Sequence, residues 1–111
     1  MRVIGIDPGL TVTGFGVVDF NNQIFTLIDK GEIKIPSKLE ISSKLSIICS
    51  GVSEVIKRSN PEVMAIEDVF VSINTRTALK LGQAKGAAIL SGTNNGLKVC
   101  EYSPLEIKRA I

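Results

Sequence analysis

Two carboxylates stand where metal or phosphate chemistry would need them. Asp7 closes the run Arg2-Val3-Ile4-Gly5-Ile6 and is followed by Pro8-Gly9-Leu10-Thr11-Val12-Thr13-Gly14. A carboxylate ending an otherwise apolar strand is costly to bury without a partner or a cation. The glycines leave backbone room for a phosphate to approach. A capping aspartate in a tight turn is the competing reading of the same stretch. Glu67 closes a second run, Val63-Met64-Ala65-Ile66, and two-residue alternation puts it on one face with Val63 and Ala65. If a helical crossover lays this strand parallel to and beside the first, both carboxylates project from C-terminal strand ends, where α/β sheets place ligands. Two like charges at short range repel unless a divalent ion bridges them, so the pair implies Mg²⁺, or Mn²⁺, on oxygen ligands. Asp68 falls on the opposite face and reads as a solvated strand-end charge.

Composition narrows the chemistry further. The chain has no histidine, and its two cysteines, Cys49 and Cys100, lie far apart. Zinc sites and histidine-based catalysis are thereby excluded. The cysteines read as small buried apolar residues in a reducing cytosol. Thirteen basic residues against 11 acidic give a net charge of +2, too little to argue nucleic-acid binding from bulk charge. The distribution says more. No acidic residue occurs in 69–100, a stretch that carries Arg76, Lys80, Lys85 and Lys98 and opens on Phe70, Val71 and Ile73. An aromatic in a basic loop beside a metal site fits a wedge against nucleic-acid bases. From these residues alone, a Phe70 that merely covers the core is the plainer reading.

The elements that must position these groups follow from period and punctuation. A chain of 111 residues is the size of one domain, residues 1–111. With 44% hydrophobic and 22% charged residues it has ordinary globular composition, which excludes intrinsic disorder. No apolar run approaches the roughly 18 residues of a membrane span, and no signal-peptide pattern opens the chain. Residues 2–7, 14–20 and 25–35 read as an antiparallel meander, with Asn21-Asn22 as a turn and Asp29-Lys30-Gly31 as a bulge. Ser37-Lys38-Leu39-Glu40 has the form of a capping box. It opens a helix whose face is Ile41, Leu45, Ile48, Val52, Val55 and Ile56, stopped at Ser59-Asn60-Pro61. Residues 63–70 return as a strand. The helix predicted over 74–91 is small and apolar almost all round, hence buried on more than one side. Gly82 and Gly86 would let a second helix approach closely, as in a homodimer. Residues 97–102 form a fifth strand, and Ser103-Pro104-Leu105-Glu106 starts a third helix. That helix is incomplete at Ile111, about two turns in, so the expectation is a piece of a longer protein. The order βββαβαβα gives an α/β domain with a mixed sheet.

Three blocks then become recognisable together. Ile4-Gly5-Ile6-Asp7-Pro8-Gly9 with Thr13-Gly14-Phe15-Gly16-Val17 is followed by Ala65-Ile66-Glu67-Asp68-Val69-Phe70. Ala78-Leu79-Lys80-Leu81-Gly82-Gln83-Ala84-Lys85-Gly86 completes the set. In this order they closely resemble the RuvC family of bacterial Holliday-junction resolvases. The resemblance implies a ribonuclease-H-like fold with a five-stranded mixed sheet, a homodimer, and Mg²⁺-dependent nicking of four-way DNA junctions by two-metal hydrolysis. It also implies a bacterial cytoplasmic setting and work beside the RuvA–RuvB branch-migration complex. Asp7 and Glu67 match the first two of the family's four acidic positions, as catalytic residues and metal ligands. Phe70 matches an aromatic associated with separated junction bases, which reverses the plainer reading above. Arg76, Lys80 and Lys85 become candidate DNA contacts, and Lys108 falls where the family carries a basic residue near the scissile phosphate. The other two acidic positions belong to a C-terminal helix not in these 111 residues, so the expectation for this chain alone is an inactive half-site. Two other readings stay open. One is a non-catalytic branched-DNA-binding module. The other is an actin-like or sugar-kinase ATPase, whose phosphate loop Asp7-Pro8-Gly9-Leu10-Thr11 also resembles, although such enzymes need a much longer chain.

Overall fold

The strand that carries Asp7 is the middle of the sheet. In the computed structural model, which describes residues 1–67 and 75–102, the elements are β1 (Arg2–Asp7), β2 (Val12–Asn21), β3 (Ile24–Lys34), α1 (Ile41–Ser59), β4 (Val63–Glu67), α2 (Thr75–Asn94) and β5 (Lys98–Tyr102). The sheet has five strands in the order β3-β2-β1-β4-β5. β1, β2 and β3 are antiparallel neighbours, while β4 lies parallel to β1 and β5 parallel to β4. This is the expected mixed sheet. The predicted third helix lies outside the described residues.

Alternation splits the sheet into two unlike faces. Ile4 and Ile6 of β1, Val17 of β2, and Met64 and Ile66 of β4 are buried. They meet Ile48, Val52, Val55 and Ile56 of α1 and Ala84 and Ala88 of α2 in one core. α2 comes so close that a Cβ on Gly92 would stand 2.9 Å from the end of Met64 and 3.2 Å from Val99. The opposite face is floored by Gly5 with its register partners Gly16 and Ala65, and by Gly14 beside Asp7.

Several local expectations shift for physical reasons. The two-residue turn of the β2–β3 hairpin is Asn22-Gln23, both at positive φ (52° and 64°). That is the type I′ geometry whose twist suits a hairpin, one residue later than read from sequence. The bulge falls at Ile28, because Val17 pairs with Asp29 while Val18 pairs with Leu27. α1 begins at Ile41, with Glu40 as N-cap and no side-chain cap bond, so the Ser37–Glu40 box does not form. Ile35 is buried and its N–H donates to Thr11 O at 3.0 Å, which holds the chain extended there. Residues 37–40 are all exposed, so nothing anchors an earlier turn. Ile41 is itself exposed and outside the core. The helix stops as expected: Asn60 takes the left-handed conformation and its N–H donates to Ile56 O. Cys49 and Cys100 are half-buried rather than buried. α2 is not buried on several sides within the chain, since Leu79 is 66% and Leu90 54% exposed.

A polar tie fixes the other end of the sheet. The Arg2 guanidinium donates to both Asp19 oxygens (Nε–Oδ1 2.8 Å, Nη2–Oδ2 3.0 Å) and to Ser59 O at 2.6 Å. It joins β1, β2 and the end of α1. The hydrogen bonds and charge of Arg2 hold the Asp19 carboxyl below its ordinary range. A depressed folded-state value means the pair contributes stability above the unfolded carboxylate value of about 4 and loses it as pH falls through the lower folded value. Asp19→Asn should therefore lower the melting temperature at pH 7, with the gap to the parent protein closing as pH falls below the ordinary carboxylate range. Thermal melts across pH check this, and a gap that persists in acid would contradict it.

Candidate active site

The parallel pairing of β1 with β4 builds the site. Ile6 is the register partner of Ile66, and each strand continues by one residue, to Asp7 and Glu67. The two carboxylates thus leave adjacent strand ends at the same level, with neighbouring strands about 4.8 Å apart. Alternation places both on the face opposite the helices. Asp7 is exposed and Glu67 half-buried. Among the described residues neither has an ion-pair or hydrogen-bond partner. Both line one open groove of about 1650 Å³. On the β1–β2 side of Asp7 its floor carries no bulky side chain, because the residues beside Asp7 and Ala65 are Gly14 and Gly5.

The turn after Asp7 is locked from within. Thr13 is fully buried, and its hydroxyl donates to Gly9 O at 2.8 Å while accepting from Gly9 N–H at 3.2 Å. A Cβ on Gly9 would stand 2.5 Å from Val12 O, a backbone atom that no rotamer change can move. Thr11 O accepts from Ile35 N–H, so the loop is also tied to the chain leaving β3.

Two oxygen donors converging on an open groove, with no cation engaging either, form a donor set that fits a hard divalent ion such as Mg²⁺. No larger cluster of metal-ligating side chains occurs among the described residues.

The basic residues are distributed unevenly around this centre. α2 links β4 to the parallel β5, so it runs back along the sheet with its N-terminus at the carboxylate end. Arg76 and Lys80 are exposed in its first turns. Lys85 is different: it is mostly buried and ion-paired with Glu101 of β5. Lys98 pairs in register with Val63, at the far end of the sheet. Phe70 and Lys108 lie outside the described residues, as does Asp68.

Three groove residues escape a reading by motif. Lys30 and Glu32 of β3 pair with Gly16 and Gly14, and Tyr102 of β5 pairs with Glu67; all three line the groove. For Tyr102 the signal was present, since it ends a parallel strand just as Asp7 and Glu67 do.

A sheet in this order, with helices on one face and paired carboxylates at its central strand ends, defines a ribonuclease-H-like domain. The family model for the crossover junction endodeoxyribonuclease RuvC matches residues 3–111, and the chain belongs to the RuvC family. It is 48% identical over 110 residues to the RuvC of Colwellia psychrerythraea, covering 98% of this chain and 63% of that protein. It is 43% identical to the RuvC of Geobacter metallireducens, covering the whole chain and 68% of the relative. The structure of Thermus thermophilus RuvC in complex with Holliday junction substrate superimposes with a TM-score of 0.91 at 32% identity, over 99% of this chain and 70% of that one. The chain thus spans about two thirds of the length of these relatives.

The turn's geometry makes a direct expectation. Gly9→Ala should destabilise the protein by roughly 1–3 kcal/mol, the range for strained or overpacked sites, read as a lower urea midpoint. An unchanged midpoint would mean the Gly9–Thr13 turn is not the lock described.

Proposed function

We propose that the protein is a metal-dependent endonuclease that nicks four-way DNA junctions, with residues 1–111 contributing most of one nuclease domain. The observation that carries this reading is the Asp7–Glu67 pair at adjacent parallel strand ends in an open groove. The close superposition on a RuvC bound to Holliday junction substrate supports it. In this reading Asp7 and Glu67 would hold the metal, together with the further carboxylates that the family resemblance implies. When bound, Mg²⁺ supplies an acidified water and offsets charge on the phosphate and the leaving oxygen. No nucleophilic side chain is required, in keeping with a chain that has no histidine.

The remaining roles are divided by position. Arg76 and Lys80, exposed at the carboxylate end of α2, contact DNA phosphates, so affinity falls with salt as counterions are released. The family resemblance alone assigns Phe70 to stacking on bases opened at the crossover and Lys108 to the scissile phosphate, since both lie outside the described residues. The exposed stripe Leu79, Gln83, Gly86 and Leu90 on α2 is the homodimer surface. Two-fold pairing through one helix is self-complementary and presents two sites to two strands. The protein works beside RuvA–RuvB in the bacterial cytoplasm. No helix of the described residues is long and apolar enough to cross a membrane.

Nicking of a synthetic four-way junction in Mg²⁺, compared with linear duplex, tests the activity in the protein carrying its full downstream sequence. Asp7→Asn or Glu67→Gln should cut the nicking rate by at least about a hundredfold, the scale of losing an electrostatic contact to the reacting group, with junction binding retained. Equal rates on junction and duplex, or an active Asp7→Asn protein, would sink the proposal.

Pairing through α2 has its own check. Leu79→Glu with Leu90→Glu should shift the sedimenting species from dimer to monomer while leaving the melting temperature of the isolated protomer nearly unchanged. A parent protein that is monomeric at high concentration would rule the dimer out.

A further inference from the structure

Tyr102 stands beside the carboxylates without a role in the reading above. It is the last residue of β5 and the register partner of Glu67. It is 38% exposed and lines the same groove as Asp7 and Glu67. Along one line across the sheet the side chains run Glu32, Gly14, Asp7, Glu67, Tyr102, so the phenol closes the row on the side away from Asp7. Its direction is set from behind. Glu101, one residue earlier, pairs with the buried Ile66 and projects to the helix face, where Lys85 of α2 holds it in an ion pair. Anchoring Glu101 there commits Tyr102, by strand alternation, to the groove.

The chemistry of the row says what such a residue can do. Two carboxylates repel a phosphate except through a cation, so a strand lying over them needs a donor that does not disturb that balance. A lysine at position 102 would pair with Glu67 and compete with the metal. A phenol is neutral below about pH 10 and still donates a hydrogen bond.

We propose that Tyr102 is a strand-positioning residue, its hydroxyl donating to a phosphate oxygen of the DNA strand that crosses the groove beside Glu67. The Lys85–Glu101 pair is the strut that aims it. This inference rests on the nuclease reading, yet it can be scored separately from it.

The test is junction binding by fluorescence anisotropy in EDTA, where no cleavage occurs, with the full-length protein. Tyr102→Phe should weaken binding about tenfold, the low end for a hydrogen bond to a charged group. The slope of affinity against salt should not change, because a neutral donor releases no counterion. The melting temperature should also stay put. Lys85→Met should show a similar deficit, restored by Lys85→Arg. Tyr102→Phe binding as tightly as the parent protein, or a deficit accompanied by a shallower salt slope, overturns the proposal. A parent protein that binds junctions but never nicks them in Mg²⁺ defeats the nuclease reading, while the Tyr102→Phe deficit would still support the phosphate contact. A parent protein that does not bind DNA defeats both.

Discussion

The register between β1 and β4 is the constraint on which the rest depends. Four residue pairs, from Val3 with Val63 to Ile6 with Ile66, define it. Because side chains alternate, a slip of one residue would turn Met64 and Ile66 out of the core and send Glu67 into it. Burying an unpaired carboxylate against α1 and α2 would be costly, so the apolar layer that stabilises the fold also enforces the alignment of Asp7 with Glu67. Parallel pairing demands a crossover. α1 supplies the length to return from the meander to the bottom of the sheet, and Asn60 and the buried Pro61 turn it into β4. The Arg2 tie to Asp19 and Ser59 clamps that same end. Stability is thus concentrated at the helix face and the lower end, leaving the upper end of the other face free for chemistry.

That division explains which parts were legible in sequence. β1, the parallel placement of β4 and the convergence of Asp7 with Glu67 follow from short apolar runs ending in acids, a signal local to each strand. The start of α1 was not legible, since a capping box is a local preference and here the anchoring of Ile35 on Thr11 overrides it. The bulge at Ile28 was misplaced by one residue because it depends on which residues of β2 face β3. Lys85 looked like one more cation in a basic stretch; only the fold brings Glu101 opposite it. The outward face of α2 could not be read either, since a helix rich in small residues looks alike whether a second layer of its own chain or a partner covers it.

The two faces of the sheet also differ in how they use small residues. On the helix face, Gly92 is small because Met64 and Val99 fill the space a Cβ would take. On the groove face, a Cβ at Gly16 would meet nothing within 4 Å, and one at Gly5 only a carbonyl oxygen at 3.8 Å. Packing within the described residues therefore does not require these two glycines, and what they provide is a shallow floor between Asp7 and the rim residue Lys30. The same face carries a tilted aromatic pair at the hairpin end, Phe20 and Phe25, with ring centroids 4.5 Å apart.

If the proposed nuclease reading holds, the exposure of the carboxylates bears on how a cation and a DNA strand would meet. Asp7 is exposed and Glu67 only half-buried, so both stay hydrated and the unliganded fold avoids the large cost of dry, unpaired charge. The same hydration weakens their hold on a cation, because Mg²⁺ gives up its own water reluctantly and needs an octahedral oxygen shell. Asp7 and Glu67 fill only part of such a shell. A phosphate lying in the groove would add oxygens at the point where the two side chains leave theirs incomplete. Metal affinity and DNA affinity at this site should therefore be coupled, each raising the other by the same factor as linkage requires. On the nuclease reading, two hydrated carboxylates over a glycine floor would be completed by the DNA phosphate. The groove would then discriminate twice, once by the shape that fits its floor and once by the phosphate that completes the metal shell.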